Sequence, residues 1–196
     1  MEEKLELRMY GMVNYQLTGI QKGIQFGHSV TEYGQFAKNI LTKHESLRYD
    51  DWADNYKTVI VLNGGSTNLS VENPGTLNQH LLKLSENDIF CAPFYETDLG
   101  DQLTAISFIV DERVFNKAKY PEFKAWLNEY HLEDLAIENI EAFSILSKSN
   151  TKVIGYFKDS KNIKESSYYT NWLELIGGDK NLFLREFLYN FDLANG

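Results

Sequence analysis

The spacing of apolar residues changes several times along the chain, and each change predicts an element. Leu7 to Leu17, LRMYGMVNYQL, is aromatic and β-branched in places and has no helical stripe, which predicts a first strand broken or bulged near Gly11. In the next stretch, IQKGIQFGHSVTEYGQFAKNIL, Ile20, Ile24, Gly27 and Thr31 recur at the spacing of one helix face. Glycine inside a helix costs about 0.5–1 kcal/mol relative to alanine, so this mixture of bulky and very small side chains predicts a close approach to a sheet, with Gly23 and Gly27 at the contact. A charged, partly helical connector, TKHESLRYDDWADNY, leads to KTVIVLN, an apolar run suited to a buried strand and ended by Gly64 and Gly65. NPGTLNQHLLKLSEND predicts a second helix, with Thr76 as N-cap, Leu77, Leu81 and Leu84 on its buried face and His80 at the edge of that face. IFCAPFYETD and LTAISFIVDE read as two strands joined by the turn TDLGDQ, an antiparallel pair whose second member, nearly continuously apolar, belongs at the centre of a sheet.

The order strand, helix, connector, strand, helix, strand, strand predicts an α/β fold: three layers over residues 7–112, a mixed central sheet flanked by helices. From about Asn116 the chain changes character and reads as a mainly helical C-terminal extension, dividing the protein into residues 1–115 and 116–196. Within the extension, YPEFKAWLNEY predicts a helix opened by Pro121, with Phe123, Trp126, Leu127 and Tyr130 on one face. KVIGYF predicts a strand. SSYYTNWLELIGGDKNLFLREFLYNFDL predicts two helices separated by Gly177 and Gly178, the second capped by Asp179. Tyr169, Trp172, Leu173 and Ile176 form one stripe, and Leu184, Phe187, Leu188 and Phe191 the other.

Charge and cysteine content narrow the function. Nineteen basic against 28 acidic residues leave a net charge of −9, which repels a phosphate backbone and disfavours tRNA or any other nucleic acid as a partner. The single cysteine, Cys91, excludes an internal disulfide and reads as core; no Cys/His set has zinc-ligand spacing, so neither metal nor cofactor is expected. An acidic N-terminus without an apolar signal core, and the lack of any long apolar run, predict a cytoplasmic protein with no membrane segment.

Polar residues gather at one predicted place. Gln21, Gln25 and His28 share a face of the first helix, with Lys22 at its border, at the helix end where α/β sheets commonly bind ligands. Asp98, in the turn before the last strand, is the acid best placed to reach the same sheet edge. Each residue also has a structural reading: a hydrogen-bonded packing histidine, a solvated lysine, a turn-capping aspartate. NGGSTN, residues 63–68, reads as a strand-exit loop, with an anion-binding nest of backbone amides as the alternative.

These elements and motifs resemble the type II peptidyl-tRNA hydrolases over residues 7–112. QFGH, Gln25 to His28, is similar to the family's Gln-x-Ser-His helix segment, and DLG, Asp98 to Gly100, to its Asp-Ala-Gly turn. The resemblance implies a mixed four-stranded sheet, cleavage of the ester between peptide and tRNA, and His28 and Asp98 as catalytic residues; the polar helix face makes Gln21, Lys22 and Gln25 the candidate ligand-binding residues, with Thr104 expected nearby. The chain departs from the family at two points. GIQKG replaces Gly-Lys-Gly-Lys and puts Lys22 one position out of register; Asp101 and Gln102 stand where the family has Arg-Thr, and Thr104 does not match the motif threonine. The sequence also resembles proteins of large tailed phages. Two readings follow: a divergent relative with weak or no hydrolase activity that binds a small ligand or a protein, such as a phage factor acting on a host component, or an active hydrolase.

Overall fold

The computed structural model describes residues 4–39, 43–68, 70, 72–130 and 167–194. Two compact units are formed: Met1–Glu112 together with Phe183–Gly196, and Arg113–Leu182. Among the described residues no helix is long and apolar enough to cross a membrane.

The first unit is an α/β fold. Strand β1 (Leu7–Asn14) is followed by helices α1 (Gly19–Asn39) and α2 (Lys43–Asp51), a π-helical turn at Trp52–Tyr56, strand β2 (Thr58–Gly65), helix α3 (Thr76–Glu86), and strands β3 (Ala92–Glu96) and β4 (Gln102–Asp111). The four strands lie in the order β2-β1-β4-β3. β1 and β2 are parallel, and β4 runs antiparallel to both of its neighbours, so the sheet is mixed. The expected order of elements is the one observed. β4 is central, with every residue from Leu103 to Asp111 buried, as its continuous apolar run predicts.

Successive side chains of a strand point to opposite faces, which puts helices on both sides of the sheet. Gly11 of β1 lies beneath Phe26 of α1, whereas Gly64 of β2 lies against Leu77 of α3 and beside Met12, the next residue of β1. On the α1 side Leu7, Met9, Val13, Ala105 and Ile109 pack with Phe26, Tyr33, Ala37 and Trp52. On the α3 side the paired positions Tyr10 with Phe108 and Met12 with Ile106 are buried, as are Leu77 and Leu84.

Several local expectations are corrected. β1 is unbroken at Gly11, which pairs regularly with Val61 and Ser107; the irregularity lies at Val13/Asn14. The missing side chain at Gly11 makes room for the Phe26 ring. The buried face of α1 consists of Gln25, Phe26, Ser29, Tyr33, Gly34 and Ala37. The predicted stripe faces outward: Ile20 is 80% and Ile24 49% exposed, and a Cβ on Gly23 or Gly27 would meet nothing within 4 Å. A polar Ser29 fits the core because its hydroxyl donates to the Ala92 carbonyl at 2.7 Å, while its own carbonyl accepts from the Ser107 hydroxyl at 2.9 Å.

β2 is an edge strand and not a buried one, with Val59 46% exposed. Its outer edge is covered in part by the end of the chain: Asn63 N–H donates to the Asp192 carbonyl at 3.0 Å, Ala194 N–H donates to the Val61 carbonyl at 2.9 Å, and Leu193 bridges antiparallel to Leu62. Unpaired edges invite foreign strands, and this contact blunts one. α3 begins at Thr76 with Gly75 as its cap; the Thr76 hydroxyl accepts from the Ser66 amide at 2.8 Å instead of capping.

The chain continues through a short helix α4 (Glu112–Phe115), then α5 (Phe123–Tyr130), α6 (Ser167–Leu175) and α7 (Asp179–Leu188). In the second unit Trp172 is buried against Phe123 and Tyr169, and its indole N–H donates to the Pro121 carbonyl at 3.0 Å. Trp172 is therefore core. Gly177 and Gly178 take left-handed φ values of 92° and 86°, closing α6. Asp179 is the first residue of α7 and not its cap. The strand expected at KVIGYF lies outside the described residues.

Candidate functional site

The polar row of α1 is built from the cap inward. Thr18 and Gln21 form a capping box: the Gln21 side-chain oxygen accepts from the Thr18 amide at 3.0 Å and from its hydroxyl at 3.0 Å, and the Gln21 amide reaches the Thr18 hydroxyl at 3.4 Å. Gln21 thus satisfies donors that the first turn of a helix leaves open. The signature Thr-x-x-Gln was available in the sequence.

One turn further, Gln25 is buried and both ends of its amide are held. Nε2 donates to Glu96 Oε2 at 2.6 Å, and Oε1 accepts from the Thr104 hydroxyl at 2.8 Å. A carboxylate can only accept, which fixes the amide nitrogen toward Glu96. Thr104 reaches α1 because of a bulge: Phe94 pairs with Ala105 and Tyr95 with Leu103, leaving Thr104 between them without a partner strand residue. The network ties α1 to β3 and β4 at one end of the sheet.

His28 follows on the next turn of α1. It is exposed, with its ring 4.6 Å from that of Phe94 and tilted by 54°. Phe94 and Glu96 lie two apart on β3 and so point to the same side, which places His28 and Glu96 along one α1/β3 seam. Asp98 is exposed in the single helical turn Thr97–Leu99 beyond β3, which Gly100 closes by donating its N–H to the Thr97 carbonyl at 3.0 Å. Gly100 and Asp101 continue that turn with φ of 71° and 57°. Lys22 is half-buried in the first turns of α1.

The structure therefore joins Gln25 to Thr104, commits Gln21 to the helix cap, and seats His28 on Phe94. No hydrogen bond links His28 to Asp98 among the described residues. That Glu96 would hold Gln25 was not anticipated; its signal was an acid ending an apolar strand, two residues after the phenylalanine that α1 covers. With Asp98 and Asp101 it gives this end of β3 and the turn after it three acids within six residues.

Two other candidates are read from their hydrogen bonds and burial. The amides of Gly65, Ser66 and Asn68 donate to the side chains of Asn63, Thr76 and Asn78 at 2.9, 2.8 and 3.0 Å, so NGGSTN is a self-satisfied strand exit and not an anion nest. Cys91 is half-buried and burial pushes its thiol up to about 11, leaving it protonated and unreactive near neutral pH. No group of three His, Cys, Asp or Glu side chains among the described residues could hold a metal ion. No protein-family model matches the chain, and no curated protein matches it.

Proposed function

We propose that the chain is a peptidyl-tRNA-hydrolase-like protein acting as a binding protein, with weak or no hydrolase activity. The observation that carries this reading is the state of Gln25. An oxyanion needs a donor aimed at the developing charge, and the Gln25 amide N–H that could serve is directed at Glu96. Gln21 is likewise engaged by Thr18. The acids Glu96, Asp98 and Asp101 at the same edge oppose a phosphate-rich substrate, in keeping with a net charge of −9. A small ligand or a protein bearing positive charge suits this edge better than tRNA, and the resemblance to phage proteins suits a partner from a host cell.

The alternative, an active hydrolase, is favoured by one observation: His28 keeps an exposed imidazole on the α1/β3 seam, where it could take or give a proton. Incubation of the purified chain with peptidyl-tRNA decides between them. The expected result is no ester cleavage above the buffer rate at low or high salt. Turnover by the wild type that is lost in both His28→Ala and Asp98→Ala would establish the hydrolase instead.

A further inference from the structure

Away from the α1/β3 seam, His80 on α3 touches the segment that closes the sheet edge. Its ring meets Phe187 edge-on at 5.6 Å and Phe191 at 4.8 Å, with interplanar angles of 77° and 78°. Phe187 and Phe191 also pack on each other at 5.1 Å. One residue beyond Phe191 begins the stretch that pairs with β2 through Asp192 and Ala194. The three-ring cluster anchors the segment just ahead of the strand contact; within the contact Leu193, which forms the bridge itself, is 64% exposed, and Ala194 packs half-buried on the α1-side core.

We propose that His80 is a protonation-controlled latch: the neutral ring holds Phe187 and Phe191 and keeps Asp192–Ala194 on the edge of β2, and the imidazolium lets the segment go and bares that edge. An imidazolium carries an N–H on both nitrogens. Nδ1 of His80 is buried, and no acceptor meets it among the described residues. Burial resists the charged form, and Lys83 on the same helix acts in the same direction. The segment packed against the ring presents two phenyl groups to it, and its charged residues are Arg185, Glu186 and Asp192. A histidine ordinarily changes charge between about pH 5 and 8, and burial moves the change at His80 to lower pH than that of a free imidazole, so acidification is the trigger. The bared edge would offer the backbone groups of Val61 and Asn63 to an extended strand of a partner.

Nuclear magnetic resonance on the full chain tests this without a ligand. The His80 ring is titrated while amide exchange, corrected for its intrinsic pH dependence, is followed at Asn63 and Ala194, with Phe108 in the central strand as control. Exchange at Asn63 and Ala194 is expected to rise severalfold with the midpoint of His80, while Phe108 stays protected; His80→Phe, aromatic but never charged, should remove the dependence. Protection at Asn63 and Ala194 that ignores the titration, or tightens because the phenyl rings grip the cation, overturns the latch. So does loosening of Phe108 with the same midpoint, or a dependence that survives in His80→Phe.

Discussion

Phe26 of α1 occupies the space that a side chain on Gly11 of β1 would fill. The close approach of helix and sheet is made by a glycine in the strand and not by those in the helix. Gly11→Ala should force the ring aside and destabilise the protein by about 1–3 kcal/mol, the usual cost of overpacking. Urea unfolding would measure it, and an unchanged midpoint would show that the ring moves without cost.

Gly23 and Gly27 give the opposite expectation. Nothing lies within 4 Å of a Cβ at either position, and neither has a left-handed φ. Alanine at each should stabilise by about 0.5–1 kcal/mol through helix propensity alone. Thermal unfolding of the single and double variants checks this. A loss of stability would mean that these glycines make contacts invisible in the isolated chain.

How far the fold was legible follows from these positions. The continuous apolar run of β4 and the adjacent β3/β4 pair announced the centre of the sheet because burial on both faces leaves no alternation to misread. The face of α1 was misread because Ile20 and Ile24 outrank Gln25 and Ser29 in hydrophobicity, while the latter reach the core by satisfying their polar atoms on Glu96, Thr104 and Ala92. Those partners stand 71, 79 and 63 residues away, and no local period encodes them. β2 looked buried because its apolar run carries no mark of an edge, and the segment that covers part of that edge, Asp192–Ala194, stands far along the chain. Gln25, His28 and Thr104 could be nominated from the sequence; that two of them would be locked together could not.

The Gln25 network should behave as a coupled unit. Gln25→Ala leaves the Thr104 hydroxyl only the Phe94 carbonyl, at 3.3 Å, and takes the donor from half-buried Glu96, so a loss of about 0.5–1.5 kcal/mol is expected, the net contribution of a hydrogen bond. A double-mutant cycle with Thr104→Val should show a coupling of at least about 0.5 kcal/mol. Additive losses would mean that the 2.8 Å contact contributes no net stability.

Alkaline pH should weaken the fold through Cys91 and Tyr33. Burial raises the Cys91 thiol from 9.0 to about 11, and raises the Tyr33 phenol above its usual value, so between these limits the folded chain keeps protons that the unfolded chain releases. Stability from Cys91 is therefore full below about pH 9 and declines as pH rises through 11, with Tyr33 adding a further loss above about pH 10. Cys91→Ala should flatten the first part of this decline in denaturant titrations. At pH 8 the same thiol should react far more slowly with a disulfide reagent in the folded than in the unfolded protein.

The end of the chain provides the last expectation. Removing residues from Asp192 onward deletes two backbone hydrogen bonds to β2, each with a net contribution of about 0.5–1.5 kcal/mol. Ala194, half-buried against the α1-side cluster, is lost with them, but the buried members of that cluster lie on β1, β4, α1 and their neighbours, and Leu77 and Leu84 remain on the other face. The truncated chain should therefore fold, with a stability lower by about 1–3 kcal/mol for the two bonds. What it gains is an uncovered β2 edge carrying exposed Val59 and free backbone groups at Val61 and Asn63, the features that recruit a second strand. Sedimentation over a range of concentrations should show more self-association than the intact chain does, and Val59→Lys should suppress it by placing charge at an exposed position of the open edge. A truncated chain that stays monomeric at every concentration would show that the contact with Asp192–Ala194 does not protect the sheet.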